Sequence, residues 1–230
     1  QSDGDNTYLH FDRINLKNTF KMDKILVFTA TYNEAENIED LIISVFEHLQ
    51  DTEMLVIDDA SPDGTGNILR ELSQQYKQLN IIYRPRKLGL GTAHKLAMKY
   101  AIKNNFSILI TMDADFSHHP KYLKKMVSLM MNNDFVTGSR YIKGGRQNYG
   151  IYRKTLSVSA NFLARNLLNI PLKECTTSYR GFKVSILKEI NLDSIQSEGY
   201  SFFVESIYSI CSLTKKIDEF PIFFSDRKSG

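Results

Sequence analysis

From Lys24 onward the chain alternates short apolar runs with longer amphipathic stretches. The runs "KILVFTA", "EMLVID", "NIIYR", "SILITM" and "DFVTGSR" are rich in β-branched and aromatic residues and predict five strands. Between the first two, Ile38, Leu41, Ile42, Val45, Phe46 and Leu49 recur on one helical face, in a helix opening at Asn33-Glu34. Helices are also predicted over Asn67–Tyr76 and through "LGLGTAHKLAMKYAIKNN", the latter entered through glycines. Pro120 suits the first position of a helix after the fourth strand. This order predicts an α/β protein, a mostly parallel sheet with helices on both faces. The first half reads as a nucleotide-binding layer. The part after Gly138 is less regular and is expected to complete the site.

Ligands of such sheets bind outside the carboxyl ends of the strands. The polar residues that interrupt the apolar pattern lie there: Tyr32-Asn33-Glu34 after strand one, Asp58-Asp59 after strand two, Asp113-Ala114-Asp115 after strand four. On an extended backbone, residues i and i+2 point the same way, so Asp113 and Asp115 can address one point. Two carboxylates there repel each other unless a cation lies between them. Hard oxygen ligands suit Mg²⁺ or Mn²⁺, with a diphosphate filling other positions. Ala114 leaves room for such a ligand. In the competing reading, one aspartate caps the next helix and the other is solvated. His118 and His119 are read as loop residues leading into Pro120 in preference to metal ligands. Asp58-Asp59 can accept from a nucleobase or ribose, and "SPDG" is itself a turn signal; both readings hold together. "GLGTAH" lacks the third glycine of the dinucleotide fingerprint and the acid that follows it, which excludes a dinucleotide-binding dehydrogenase.

Composition changes this picture little. The 230 residues are 42% hydrophobic and 24% charged, ordinary globular values, and a net charge of +3 does not suggest a nucleic-acid binder. Cys175 and Cys211 show no metal-ligand spacing and read as reduced thiols. No apolar run reaches the roughly 18 residues of a membrane-spanning helix. Residues 1–21 are polar, lack the apolar core of a leader, and are read as an upstream extension; 22–230 are read as one catalytic domain. The distribution of charge says more than its sum. Phe135 to Lys173 holds no Asp or Glu but carries Arg140, Lys143, Arg146, Arg153, Lys154, Arg165 and Lys173. Ile151, Tyr152, Leu156, Phe162, Leu163, Leu167 and Leu168 lie in the same stretch. Basic beside apolar residues suit an anionic lipid headgroup or a membrane surface. A core helix with a solvated basic rim fits the pattern equally well.

Taken in order, "TATYNEAENI", "VIDDASPDGTG", "YRPRKLGLGTAHK", "MDADFSHHP", "TGSRY", "TTSYRGFK" and "FSDRKSG" resemble the dolichyl-phosphate (polyprenyl-phosphate) mannosyltransferases. These are inverting family 2 glycosyltransferases with a GT-A fold. The resemblance runs from Lys24 to Gly230. It implies that Ala30, Tyr32 and Glu34 lie along the donor nucleotide, with Ile57 and Asp59 at the base. Asp113, Ala114 and Asp115 would hold the diphosphate and a Mg²⁺ or Mn²⁺ ion, with Ser117 near the metal. Arg140 would face the phosphates, Arg153 and Ser157 would receive the acceptor phosphate, and Arg227 would close over the donor. The chain departs from the family at Ala30, where proline is usual, and at Ser117, where some members have glutamine. It also stops at Gly230, where a Ser-Lys pair commonly follows, so the resemblance implies a shortened C-terminus. A membrane-anchoring segment or subunit outside this chain is part of the same expectation.

The activity implied is transfer of mannose from GDP-mannose to a polyprenyl phosphate at the cytosolic face of a membrane. An acceptor phosphate is already an anionic nucleophile, so no general base is needed. Alternatives are a UDP-sugar donor (glucose or N-acetylglucosamine), a glycan acceptor, or a nucleotide-binding partner subunit without activity. A glycan hydroxyl would need a base. "TTSYRGFK" offers none, the nearest acids being Glu174, Glu198 and Glu205. A receiver-type signalling domain expects its acid pair after strand one, where this chain has Tyr-Asn-Glu.

Overall fold

The computed structural model describes residues 24–148, 151–197 and 199–225. The extension, residues 1–21, and Arg227 lie outside them. Strands β1 (Ile25–Thr31), β2 (Thr52–Asp58), β3 (Leu79–Tyr83), β4 (Ile108–Thr111), β5 (Phe135–Ser139), β7 (Arg180–Lys183) and β8 (Ile217–Pro221) form one sheet, ordered β3-β2-β1-β4-β7-β5-β8. β1, β2, β3 and β4 pair in parallel. β7 runs antiparallel between β4 and β5, and β5 pairs in parallel with β8. A parallel ribbon of β6 (Arg146–Asn148) and β9 (Phe223–Ser225) lies apart from the sheet.

Strand alternation splits the core into two layers. Leu26, Phe28, Leu55 and Ile57 face α3 (Leu90–Lys103), α6 (Val184–Glu189) and α7 (Tyr200–Leu213). Val27, Met54 and Val56 face α1 (Ile38–His48), α2 (Thr65–Gln75) and α4 (Leu123–Met130). Helix α5 (Ile151–Leu168) completes the set. No helix among the described residues is long and apolar enough to cross a membrane.

The five expected strands are present, and the sheet is mostly parallel with helices on both faces. Several boundaries differ; α2, expected over Asn67–Tyr76, runs Thr65–Gln75. Helix α1 begins at Ile38 rather than at Asn33-Glu34, because the Glu34 carbonyl first accepts the amides of Asn37 and Ile38 at 3.0 and 2.9 Å in a tight turn. Pro120 opens a 3₁₀ turn, Pro120–Tyr122, that leads into α4, and the His119 ring accepts the Lys121 amide at 3.1 Å. Glycine does admit the chain to α3: Gly89 precedes it at φ +91°, a conformation that penalises any residue with a Cβ.

Candidate active site

The first two loops are stitched into one surface. The amides of Asn33, Glu34 and Ala35 donate to Ser61 Oγ, Thr65 Oγ1 and Asp63 Oδ2 at 3.0, 3.0 and 2.9 Å. The turn "SPDGT" after β2 thereby fixes the "YNE" segment after β1. Asp58 belongs to the same fabric, accepting from Thr31 Oγ1, Ser61 N and Ser61 Oγ at 2.9, 3.1 and 2.6 Å. Asp59 turns to its own chain: it pairs with Arg84 and accepts the amides of Leu88 and Gly89 at 3.1 and 3.3 Å. It thus shapes the 84–89 loop that leads into α3. Ile57 is fully buried, so its side chain supports these loops from beneath. Glu34 is nearly buried, Ala30 half-buried, and Tyr32 exposed with the Lys87 ammonium 3.9 Å from its ring centre.

The acidic pair follows β4. Its backbone is not extended as the i, i+2 argument requires: it bends from Ala114 to His118, with Phe116 at φ 58°. The two carboxylates therefore have different surroundings. Asp115 is 5% exposed and accepts the Ser117 amide at 3.0 Å, a local turn bond. Ser117 and Ala114 are buried beside it. Asp113 keeps about a third of its side chain exposed, 32%, and is held by Ser178 Oγ at 2.5 Å and His118 Nδ1 at 3.2 Å. Burial would raise the Asp113 carboxyl, but the His118 charge and the hydrogen bonds from His118 and Ser178 outweigh it and bring it down to about 2. Asp113 is thus a carboxylate at neutral pH.

Hard oxygen donors at a strand end fit a divalent metal. Among the described residues no group of three His, Cys, Asp or Glu forms a complete cage. A metal held by Asp113 and Asp115 would complete its shell from ligand phosphates and water, the usual habit of Mg²⁺. His118 is no competitor for it. Its Nε2 lies 2.9 Å from Thr177 Oγ1, its Nδ1 faces Asp113, and its ring stacks on Tyr179 at 5.1 Å and 9°.

Arg140 lies just beyond β5. Its Nε and Nη2 grip the fully buried Glu174 carboxylate at 2.7 and 2.9 Å, and Nη2 also reaches Thr176 Oγ1 at 3.2 Å. Phe224 stands between the two halves of the site: its ring is 5.2 Å from His118 and 4.8 Å from the Arg140 guanidinium. Ser157 on α5 accepts the Tyr141 hydroxyl at 2.7 Å, and Asn161 joins α5 to Thr176 and to the Cys175 amide at 3.3 and 2.6 Å. The Arg153 backbone belongs to α5, while its side chain is outside the described residues. Further along α5, Phe162, Leu163 and Leu167 are 62%, 55% and 76% exposed, on the stretch free of acidic residues.

Sequence reasoning assigned His118 to the loop and did not single out Glu174, Thr177 or Ser178 as partners of the site. The only signals were a lone acid ending an acid-free stretch and a run of three hydroxyls, "TTS".

Residues 26–191 match the glycosyl transferase family 2 model. The chain belongs to glycosyl transferase family 2. This glycosyltransferase is 33% identical over 208 residues to the undecaprenyl-phosphate mannosyltransferase of Micrococcus luteus, spanning 90% of this chain and 86% of the relative. It is also 33% identical over 210 residues to the polyprenol monophosphomannose synthase of Mycolicibacterium smegmatis, spanning 90% and 79%. The family 2 fold recurs in glucosyl-3-phosphoglycerate synthase from Mycobacterium tuberculosis, solved with Mn²⁺, UDP and phosphoglyceric acid, at TM-score 0.68 and 17% identity over 91% of this chain and 72% of that one. A mannosyltransferase from Pyrobaculum calidifontis, solved with GDP-Man and Mn²⁺, superposes at TM-score 0.61 and 17% identity over 90% and 57%. The likeness to these solved structures is one of fold, the Rossmann-like GT-A fold.

Proposed function

We propose that this glycosyltransferase moves mannose from GDP-mannose to a polyprenyl phosphate, inverting the anomeric centre, at a membrane surface. The observation that carries the reading is the 33% identity to two polyprenyl-phosphate mannosyltransferases over 90% of the chain. The reading assigns the site residues as follows. Asp113 and Asp115 would hold the Mg²⁺ or Mn²⁺ ion, with Ser117 bracing Asp115. When bound, that ion would neutralise charge developing on the leaving diphosphate. The "YNE" segment and the loop fixed by Asp59 would line the nucleotide, with Arg227 closing over it. Arg140, Arg153 and Ser157 would receive the acceptor phosphate.

The acceptor oxygen forms its bond to the anomeric carbon as the bond to the diphosphate oxygen breaks, on the opposite face. The nucleophile arrives ionised, so the protein's task is alignment and charge stabilisation. The acids near the second half fit this division of labour. Glu174 is committed to Arg140, and Glu219 accepts the amides of Lys173 and Glu174 at 3.0 and 3.3 Å. Both carboxylates are thereby engaged as acceptors within the protein. The apolar face of α5 beside a basic, acid-free stretch supports approach to an anionic membrane, where the acceptor lies.

The test is labelled-sugar transfer to a short-chain polyprenyl phosphate, with GDP-mannose and UDP-glucose run in parallel, with and without Mn²⁺. Lipid-linked label from GDP-mannose alone, abolished by chelation, is expected. Label from UDP-glucose alone replaces the donor. Transfer that survives chelation removes the metal assignment.

A further inference from the structure

The groups proposed for metal and acceptor come from different strands, β4 and β5, and a third strand, β7, lies between them. The segment entering β7 touches both. Glu174 takes Arg140 in a two-point grip, and Thr176 bonds both Arg140 and Glu174, at 3.2 and 2.9 Å. One residue on, Thr177 holds His118, which faces Asp113; the next, Ser178, donates to Asp113 directly. Three consecutive hydroxyl side chains thus address the two halves of one site.

The segment is itself anchored by buried side chains. The Cys175 amide donates to Asn161 Oδ1 at 2.6 Å, and its carbonyl accepts from Arg180 Nη2 at 2.9 Å. The Ser178 carbonyl accepts the Thr111 hydroxyl, which ties it to the strand that carries Asp113. Arg180 is 1% exposed and directs Nη1 to Phe203 O and Ser206 Oγ at 2.9 and 3.0 Å, so it pins the segment to α7. Burying so many polar groups costs desolvation that an apolar core would avoid. What the arrangement supplies in exchange is fixed orientation, since these groups have defined partners, the buried Arg180 Nε excepted.

We propose that the segment Glu174–Ser178 is the positioning element of this site: Glu174 and Thr176 orient Arg140, while Ser178 and the Thr177-braced His118 orient Asp113. The proposal rests on the function proposed above and adds residues to it. None of these five is a catalytic residue; each acts through Arg140 or Asp113, Thr177 by way of His118.

The two ends of the segment predict opposite signatures. Glu174→Gln keeps the side-chain volume but loses one charged acceptor. It should raise the KM for the polyprenyl phosphate about tenfold or more while leaving Mn²⁺ affinity unchanged. Ser178→Ala should weaken Mn²⁺ binding about ten- to a hundredfold, read by electron paramagnetic resonance titration with GDP present, and leave the acceptor KM unchanged. Ser178→Thr, which restores the hydroxyl, should recover Mn²⁺ affinity. Thr176→Val, isosteric and without the hydroxyl, repeats the acceptor measurement if Glu174→Gln does not fold. Folded variants that shift both constants together, or neither, overturn the proposal and leave the mannosyltransferase reading standing. A wild-type chain that binds no Mn²⁺ with GDP and transfers no sugar removes the functional reading and this proposal together.

Discussion

Glu174→Ala tests the buried ion pair at the centre of the second half. The wild-type carboxylate is fully buried and the Arg140 side chain is 8% exposed, so the pair is shielded from water and salt. Its oxygens accept from Arg140 Nε and Nη2 at 2.7 and 2.9 Å and from the Thr176 amide and hydroxyl at 3.1 and 2.9 Å. Truncation leaves the guanidinium buried without its counter-charge, a loss of about 3–5 kcal/mol. In a domain of this size, 1 kcal/mol corresponds to about 2–4 °C, so the melting temperature should fall by about 6–20 °C. The assay is urea and thermal unfolding of Glu174→Ala, of Glu174→Met and Arg140→Met, and of the double variant Glu174→Met/Arg140→Met. The double variant, with both charges removed and volume kept, should lose clearly less than Glu174→Ala alone. Raising salt should change the single-variant loss little, because screening acts on exposed charges. A Glu174→Ala loss below about 1 kcal/mol, the range of surface pairs, would refute the argument. So would a double variant whose loss equals the sum of the two methionine singles.

Other predictions test separate features. His94 is buried among Phe28, Phe202 and Phe203, and burial, with the nearby Arg180 charge, pushes its imidazole from 6.5 down to about 3. The unfolded chain takes up that proton first as pH falls. The stability His94 allows is therefore complete above pH 6.5 and is lost below it at about 1.4 kcal/mol per pH unit. Unfolding of His94→Leu across pH 7 to 5 should show a flatter acid limb than wild type, and parallel curves would contradict the burial argument. A Cβ on Gly138 would meet Ile222 Cδ1 and Tyr179 Cδ1, each at 2.9 Å, so Gly138→Ala should cost about 1–3 kcal/mol in denaturant unfolding. Leu167→Glu, on an exposed α5 position, should weaken co-sedimentation with anionic vesicles while leaving the melting temperature unchanged. Equal sedimentation of both proteins would take α5 out of the membrane contact.

Residue order alone makes legible the strand–helix alternation, the mostly parallel sheet and the strand ends where polar residues gather. Those follow from local rules: period-2 and period-3.6 burial, and the need to place charges outside the apolar runs. Leu26 and Val27 belong to opposite layers by strand periodicity alone, because neighbouring strand residues point to opposite faces. The resemblance to polyprenyl-phosphate mannosyltransferases was legible in the same way, as an ordered series of short motifs. What those motifs touch follows from the packed fold. The insertion of β7 between β4 and β5 brings Ser178 to Asp113 and Glu174 to Arg140 across 65 and 34 residues of chain. No local pattern encodes such contacts. The packed fold also decides that Asp59 faces Arg84, that Ile57 is wholly internal, and that the Asp113–Asp115 backbone bends. A hydrophobic pattern specifies which side of an element is buried; which polar partner it meets depends on the order in which strands join the sheet.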